Sequence, residues 1–589
     1  MQIPLEFYHS EKKSFEENLS NIKRKLIRSS AFRLLVFLST TSSIYFFFGN
    51  TPLVLFSLFI GSILFIYLVT KHSNLAVQRK EIEALIKIND IEISCLNGNF
   101  SELNPGNEFV HSEHFYSYDI DLFGKGSFFQ FSNRTSIKAG TEKYANILTE
   151  NSIHVIEEKQ EAIKELGGIP KWRQKFSAIA KMIHVDTDSQ TIVKWIESYT
   201  SFLPDSMRYI PTIFSIISLI LIGLAGFGFI PFSIVGVWFF IGLGIIFKCF
   251  KRINELYENA NHAKSTFSQY HQLLKKIEQE KFTATILIQK QQEIQNDQKN
   301  ASQIFKEFSK VLDALDQRNN MLFGVFGNGL LLWDLQQCYK IEQWIQINHS
   351  QVEKWFEVIA FFDAYNTLGN FVFNHPQAIF PTIKEDEFVI KAQNLGHPLI
   401  DRKQRIDNDF TIKNREFFII TGANMAGKST FLRTVSVGIV MANIGLPVFA
   451  TTFHYSPIKL ITSMRTTDSL SEDTSYFFSE LKRLKFIVDA IKTDNYFVIL
   501  DEILKGTNST DKAIGSKKFV KKLVASHSTG IIATHDLSLC EIEGELTQIK
   551  NFYFDAEIIN NELHFDYQLK NGVCKNMNAS FLLQKMEIV

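Results

Sequence analysis

The chain is short of paired cysteines, of net charge and of any leader segment. Its 589 residues include five cysteines, Cys95, Cys249, Cys338, Cys540 and Cys574, which are scattered, odd in number and never spaced as CxxC. That excludes a disulfide scaffold and argues against a zinc ribbon; isolated thiols fit a reducing compartment. Lysine plus arginine and aspartate plus glutamate both number 62, so the formal net charge is zero. A uniformly basic nucleic-acid coat is thereby excluded, although a local basic face is not. Residues 1–30 are polar and charged, so no cleavable signal peptide is expected. There is no low-complexity linker and no repeat beyond two apolar runs. What the chain has in excess is phenylalanine, 55 residues, in a composition 45% hydrophobic and 21% charged. That balance belongs to a folded chain, and the length allows about four domains of ordinary size.

The two apolar runs, residues 34–70 and 209–247, carry no charge at all. One membrane span takes roughly 20 apolar residues at about 1.5 Å rise each, so each run fits two spans. Turn signals sit near both midpoints: Gly49-Asn50-Thr51-Pro52 in the first, and Gly226, Gly228 and Pro231 in the second. Each run is therefore expected to be a transmembrane helical hairpin. The other possibility, two buried hairpins in a large soluble core, would need unusually long charge-free core helices twice. Lys23, Arg24, Lys25, Arg28 and Arg33 precede the first run and Lys71, Arg79 and Lys80 follow it. Arg208 precedes the second, and Lys248, Lys251 and Arg252 follow it. The tips carry no positive charge, so both termini and the middle segment are expected in the cytoplasm of a multi-pass cell-membrane protein. With no acidic or basic residue inside, the hairpins read as anchors and not as a substrate path.

Between and after these runs the chain is mixed. Residues 76–89 and 152–166 read as helices. Residues 251–320 are polar, helical and free of proline, which suits either a solvated lever or coiled-coil arm or an ordinary helical bundle. Residues 321–375 are richer in Leu, Trp and Phe and suggest packed helices. From about residue 388, short β-branched runs alternate with helical segments, an α/β pattern.

Three strand ends in that last part carry chemistry. Residues 417–421 (FFIIT) form an apolar strand that enters Gly422-Ala-Asn424-Met-Ala-Gly427-Lys428-Ser429-Thr430 and then a helical segment. This is GxxxxGK[ST] in the strand–loop–helix setting that a phosphate-binding loop requires. Terminal glycines let successive N–H groups point at a phosphate, and the helix N-terminus adds partial positive charge. Lys428 is expected on the β- and γ-phosphates of ATP, and Ser429 on Mg²⁺. Residues 496–500 (YFVIL) end in Asp501-Glu502, where a second Mg²⁺-shell ligand and a water activator are needed. The strand 530–533 ends in Thr534-His535, which places a histidine near the γ-phosphate or the attacking water.

These residues resemble the MutS family of DNA mismatch-repair ATPases. TGANMAGKSTFLR, residues 421–433, is close to that family's nucleotide loop, with Ala423 and Ala426 where the family more often has Pro and Gly. MANIGLPVFA, residues 441–450, resembles the helix and turn that follow. The run from Asp501-Glu502 through Gly506-Thr507-Asn508-Ser509 resembles the acidic pair and the signature that reaches a partner subunit's nucleotide. Asn508 stands where a small hydroxyl residue is usual, and Ser509 is the candidate that takes over. Ser475 to Glu480, Asn394 to Pro398 and Asn551 through Gly572 to Ala579 resemble further parts of the ATPase domain. Weaker likeness reaches back to residues 123–140, 158–162 and 360–364, the family's helical core and lever. No mismatch-reading domain is expected ahead of that core, and no appended module after the ATPase domain.

The resemblance implies an α/β P-loop NTPase domain of the ABC/MutS type and an all-α core and lever, to which the apolar runs add two transmembrane hairpins in a multidomain chain. The expected division is 1–30 N-terminal helix, 31–70 hairpin, 71–208 core, 209–250 hairpin, 251–385 lever and core, and 386–589 ATPase domain. It implies a Mg²⁺-dependent ATPase acting as a homodimer with composite ATP sites. Gly422, Asn424, Gly427, Lys428, Ser429, Thr430 and Ser509 bind nucleotide, Ser429 and Asp501 hold metal, and Glu502 and His535 are catalytic. Double-stranded DNA is expected as a partner by association with the family, and the lipid bilayer through four helices. The alternative is an ATP-driven membrane switch or scaffold acting on a protein or lipid without DNA.

Overall fold

The computed structural model describes residues 4–182, 188–295, 299–465, 476–559 and 562–574. Ser475 and Ala579, quoted above for their resemblance, lie outside the described residues. The N-terminal part is helical, and the C-terminal part is α/β with mixed sheets.

The first charge-free run forms a hairpin of two long helices, Pro4–Phe46 and Thr51–Leu96. The turn falls on the Gly-Asn-Thr-Pro signal: Gly49 has a positive φ of 98°, and Asn50 caps the second helix through Leu53 N–H. The second run gives Ile210–Gly226 and Phe232–Glu278, with Gly228 (φ 75°) in the turn. The helices run through the expected domain boundaries at 30, 70 and 250 without a break. The hairpins are thus extensions of core helices, with no linker between. Their outer faces are apolar and open: Phe48 is 87% exposed and Phe247 80%. Thr51–Leu96 and Phe232–Glu278 are long and apolar enough to cross a membrane, by length and composition. Ile210–Gly226 has 17 residues, or about 25 Å of helix, a little short of a hydrocarbon core of about 30 Å.

The helical core is organised around Trp333–Asn374. Against it pack Lys138–Thr149, Ile156–Gly168, Ala301–Asp316 and the lower half of Phe232–Glu278. That lower half buries Ile253, Leu256, Ala260, Ala263, Phe267, Leu274 and Ile277, a repeat of three and four residues. Residues 251–320 are therefore a wall of the bundle, and the solvated-arm reading fails for want of a solvated inner face. A buried polar network fastens the first hairpin below its apolar part. Glu92 accepts from Arg134 Nε and from Asn374 Nδ2, both at 2.8 Å, and Tyr8 donates to Asn374 Oδ1 at 2.8 Å.

The α/β part holds a six-stranded sheet in the spatial order Leu569–Asn571, Ile549–Phe554, Phe417–Gly422, Thr529–Ala533, Tyr496–Asp501, Lys459–Ser463. The first pair is antiparallel and the rest parallel. The central strand Phe417–Gly422 is buried throughout, as its unbroken apolar run requires. A four-stranded sheet, with Phe388–Leu395 between Thr452–Tyr455 and Asn408–Lys413, draws its strands from both sides of Phe417–Gly422 in the chain. The edge strand Lys459–Ser463 is capped by the helical part: Asn151 and Leu460 exchange two hydrogen bonds at 2.9 Å, and Asp119 accepts from Thr462 Oγ1 at 2.6 Å. Pairing this edge hides N–H and C=O groups that would otherwise template aggregation.

Candidate functional site

The strands Phe417–Gly422, Tyr496–Asp501 and Thr529–Ala533 are neighbours and parallel, so their carboxyl ends open on one crevice. The loop after Phe417–Gly422 turns sharply. Gly422 (φ 151°) has the Phe554 carbonyl 2.7 Å from where a Cβ would stand. Gly427 (φ 104°) lets the chain enter the helix Lys428–Asn443. Met425 holds a positive φ of 68° without being glycine.

Lys428 folds back into its own loop. Its Nζ donates to the Gly422 and Ala423 carbonyls at 2.8 and 2.9 Å and lies 3.2 Å from His535 Nε2. Ser429 Oγ donates to Asp501 Oδ2 at 2.6 Å. A hydroxyl and a carboxylate side by side at a phosphate-sized crevice are oxygen donors of the kind a hard divalent cation takes, so the residues fit Mg²⁺. Glu502 sits at φ 48°, a sparsely populated conformation for glutamate, and its Oε1 lies 3.5 Å from His535 Nε2. Strain of that kind collects where geometry serves function.

Burial lowers the pKa of Lys428, with Asp501 and Glu502 partly restoring it. Burial also lowers that of His535, and the nearby Lys428 charge pushes the same way. A neutral His535 can accept from the ammonium at Nε2, which leaves its proton on Nδ1.

These groups share a cleft of about 680 Å³, lined also by Asn424, Gly427 and Thr430. Gly422 lies beneath it at the strand end, and Ser509 is not among its lining residues. Ser509 instead begins the helix Ser509–Ala525 and is exposed. Asn508 is that helix's N-cap, accepting from Asp511 N–H at 2.8 Å. The substitution of Asn for a hydroxyl residue at 508 thus has a local structural use.

Several participants were not assigned a role from sequence. His397, Arg405 and Tyr567 line the same cleft, the last from more than a hundred residues downstream. His397 is brought down to about 4 by burial and by the charges of Arg433 and Arg405. Glu480 takes the backbone N–H groups of Leu504 and Lys505, and so shapes the turn that follows Glu502. Its only sequence signal was membership of the stretch between the two nucleotide motifs. Of the lysines on Ser509–Ala525, Lys517 bridges Glu541 and Glu545 and Lys521 bridges Glu545.

Comparison with known proteins gives the same region a relationship. Residues 418–585 match the family model described as MutS domain V. MutS protein homolog 4 of Homo sapiens is 28% identical over 195 residues, 31% of this chain and 20% of that protein. DNA mismatch repair protein MutS of Staphylococcus saprophyticus is 26% identical over 278 residues, 44% of this chain and 30% of that protein. The protein of that same name from Aquifex pyrophilus is 33% identical over 187 residues, 30% of this chain and 21% of its own length. The chain therefore spans less than a third of the length of these relatives. Residues 418–585, the greater part of the C-terminal α/β part with that crevice at its centre, are thus similar to domain V of the MutS family.

Proposed function

We propose that this chain is a membrane-anchored ATPase that works as a dimeric, ATP-dependent switch on double-stranded DNA. The observation that carries the ATPase reading is the convergence of Lys428, Ser429, Asp501, Glu502 and His535 on one cleft. Bound Mg²⁺ would neutralise the β- and γ-phosphate oxygens, held there by Ser429 and Asp501. Lys428 exchanges its two loop carbonyls for the β- and γ-phosphates. The loop N–H groups from Asn424 to Thr430 cradle the rest of the polyphosphate. Glu502 orients water for in-line attack, and neutral His535 holds that water or the γ-phosphate. Ser509 of the partner subunit completes the site, since the protein's own Ser509 is exposed and stands apart from its own cleft.

Closure of such a dimer would be felt in the helical core, because Asp119, Asn151 and Phe115 are fastened to the edge strand Lys459–Ser463. The membrane reading is supported by two charge-free helical hairpins with open apolar faces and basic residues only at their bases. DNA as partner is supported by the names of the relatives.

The test is Glu502→Gln. It should bind ATP·Mg²⁺ with near-normal affinity and accumulate as a closed dimer that cross-links through Ser509→Cys onto the partner's nucleotide. Turnover at the parent rate in Glu502→Gln would remove Glu502 from its role.

A further inference from the structure

The helix Met321–Leu331 does not behave as part of the bundle wall that its neighbours form. No residue from 319 to 333 is charged. Its later turn, Gly327, Asn328 and Gly329, is buried. The part before that turn is apolar and open to an unusual degree, with Met321 82%, Leu322 71% and Phe326 56% exposed. The buried turn sits on the second hairpin. A Cβ on Gly329 would run into the Phe239 ring, and one on Gly242 into the Gly329 carbonyl. The Phe326 ring is 5.8 Å from that of Phe239, and Ser215 Oγ of the hairpin donates to the Leu331 carbonyl at 3.2 Å. The two charges that bracket the segment meet each other: Arg318 Nε lies 3.1 Å from Asp334 Oδ2, both nearly buried. The chain can thus pass into an apolar medium and back without leaving a charge in it.

We infer that Met321–Leu331 is a fifth membrane element, a half-inserted helix seated on the base of the second hairpin with Leu322 and Phe326 against lipid. Lipid, and not a second copy, is the occupant because the exposed face continues that of the hairpin through Phe239 and Phe240. Its place beside the hairpin sets a second short apolar helix next to the long Phe232–Glu278, along with the 17-residue Ile210–Gly226. This inference rests on the membrane reading above.

The experiment uses the full chain in phosphatidylcholine–phosphatidylglycerol liposomes, in a Cys249→Ser background, with spin labels on Leu322→Cys, Leu219→Cys or Lys310→Cys. Oxygen collects in the bilayer and a nickel chelate stays in water. The label at 322 should favour oxygen over nickel several-fold, as at 219, and the label at 310 should do the reverse. A label at 322 that behaves like 310 while 219 favours oxygen would overturn the inference and leave the anchoring intact. Shielding from both agents with spin–spin broadening at 322 would overturn it in favour of a second copy. If 219 itself favours nickel, the membrane reading fails and this inference with it. Adding Gly329→Leu should move the 322 label toward nickel and leave 219 unchanged; no movement would contradict seating on the hairpin.

Discussion

Lys428 is the residue on which the chemistry turns, and its surroundings say how. Burial lowers its pKa, and two carbonyls of its own loop hold the ammonium in place. Charge-assisted contacts to two phosphates are together worth about 3–6 kcal/mol, so Lys428→Ala should weaken ATP binding by more than roughly 100-fold. Equilibrium binding of a fluorescent ATP analogue checks this, with the fold verified by circular dichroism. His535 gives a pH dependence. Its folded pKa lies below the ordinary 6.5, so it is neutral at that pH and gains a proton only in more acid solution, against the Lys428 charge. Turnover should therefore hold from mildly alkaline pH down to 6.5 and fall below it, and a slow His535→Asn variant should lack that acid limb. A decline centred above 6.5 would contradict a neutral His535. The positions of Lys428, Ser429, Asp501 and Glu502 were marked in the sequence because the first two open a helix after a glycine-bounded loop and the others close an apolar strand. Tyr567, His397 and Arg405 were not, because nothing local marks a residue that reaches a cleft across the fold.

At the scale of elements, the helix Ser509–Ala525 shows how a departure from the family pattern is absorbed. Asn508 satisfies an N-terminal N–H and also bonds Asp511 Oδ2 at 2.7 Å. Loss of such a cap costs about 1 kcal/mol. Asn508→Ala should lower stability by about that amount in thermal or denaturant unfolding, while Asn508→Ser, a good cap, should restore most of it. An unchanged midpoint for Asn508→Ala would mean the cap is not formed. The hairpin turns were legible because Gly, Asn and Pro dictate backbone geometry directly, and the turn at Gly49 and Asn50 falls on its signal. The polar stretch 251–320 left arm and bundle open because polar outer faces give the same composition whether or not the inner face is buried, as it is along Phe232–Glu278 and Ala301–Asp316. Met321–Leu331 was read as packed for the opposite reason: composition shows that a segment is apolar and not which apolar surroundings it meets.

At the scale of the whole molecule, the apolar hairpins and the α/β part are joined through the helical core. The hairpin helices continue into the core, and Trp333–Asn374 lies at the centre of that core and ends on the polar network of Glu92, Arg134 and Asn374. The core then grips the edge strand of the six-stranded sheet through Asn151 and Asp119. Arg465 bonds Asp121 on the same border. The pairings of Asn374 with Glu92, Asn151 with Leu460, Thr462 with Asp119 and Arg465 with Asp121 were not legible, because each joins residues hundreds of positions apart that carry no motif. Such a continuous frame fits an ATP-driven switch whose state is felt at both ends. The most direct measurement is steady-state ATP turnover by the full-length protein in liposomes, with and without paired, mismatched and branched DNA, at low and moderate salt, with Lys428→Ala as the blank. Mg²⁺-dependent turnover that DNA stimulates, and that salt weakens as phosphate contacts are lost, is the expected result. Hydrolysis indifferent to every DNA would contradict the DNA switch, and activity equal to that of Lys428→Ala would contradict the ATPase itself.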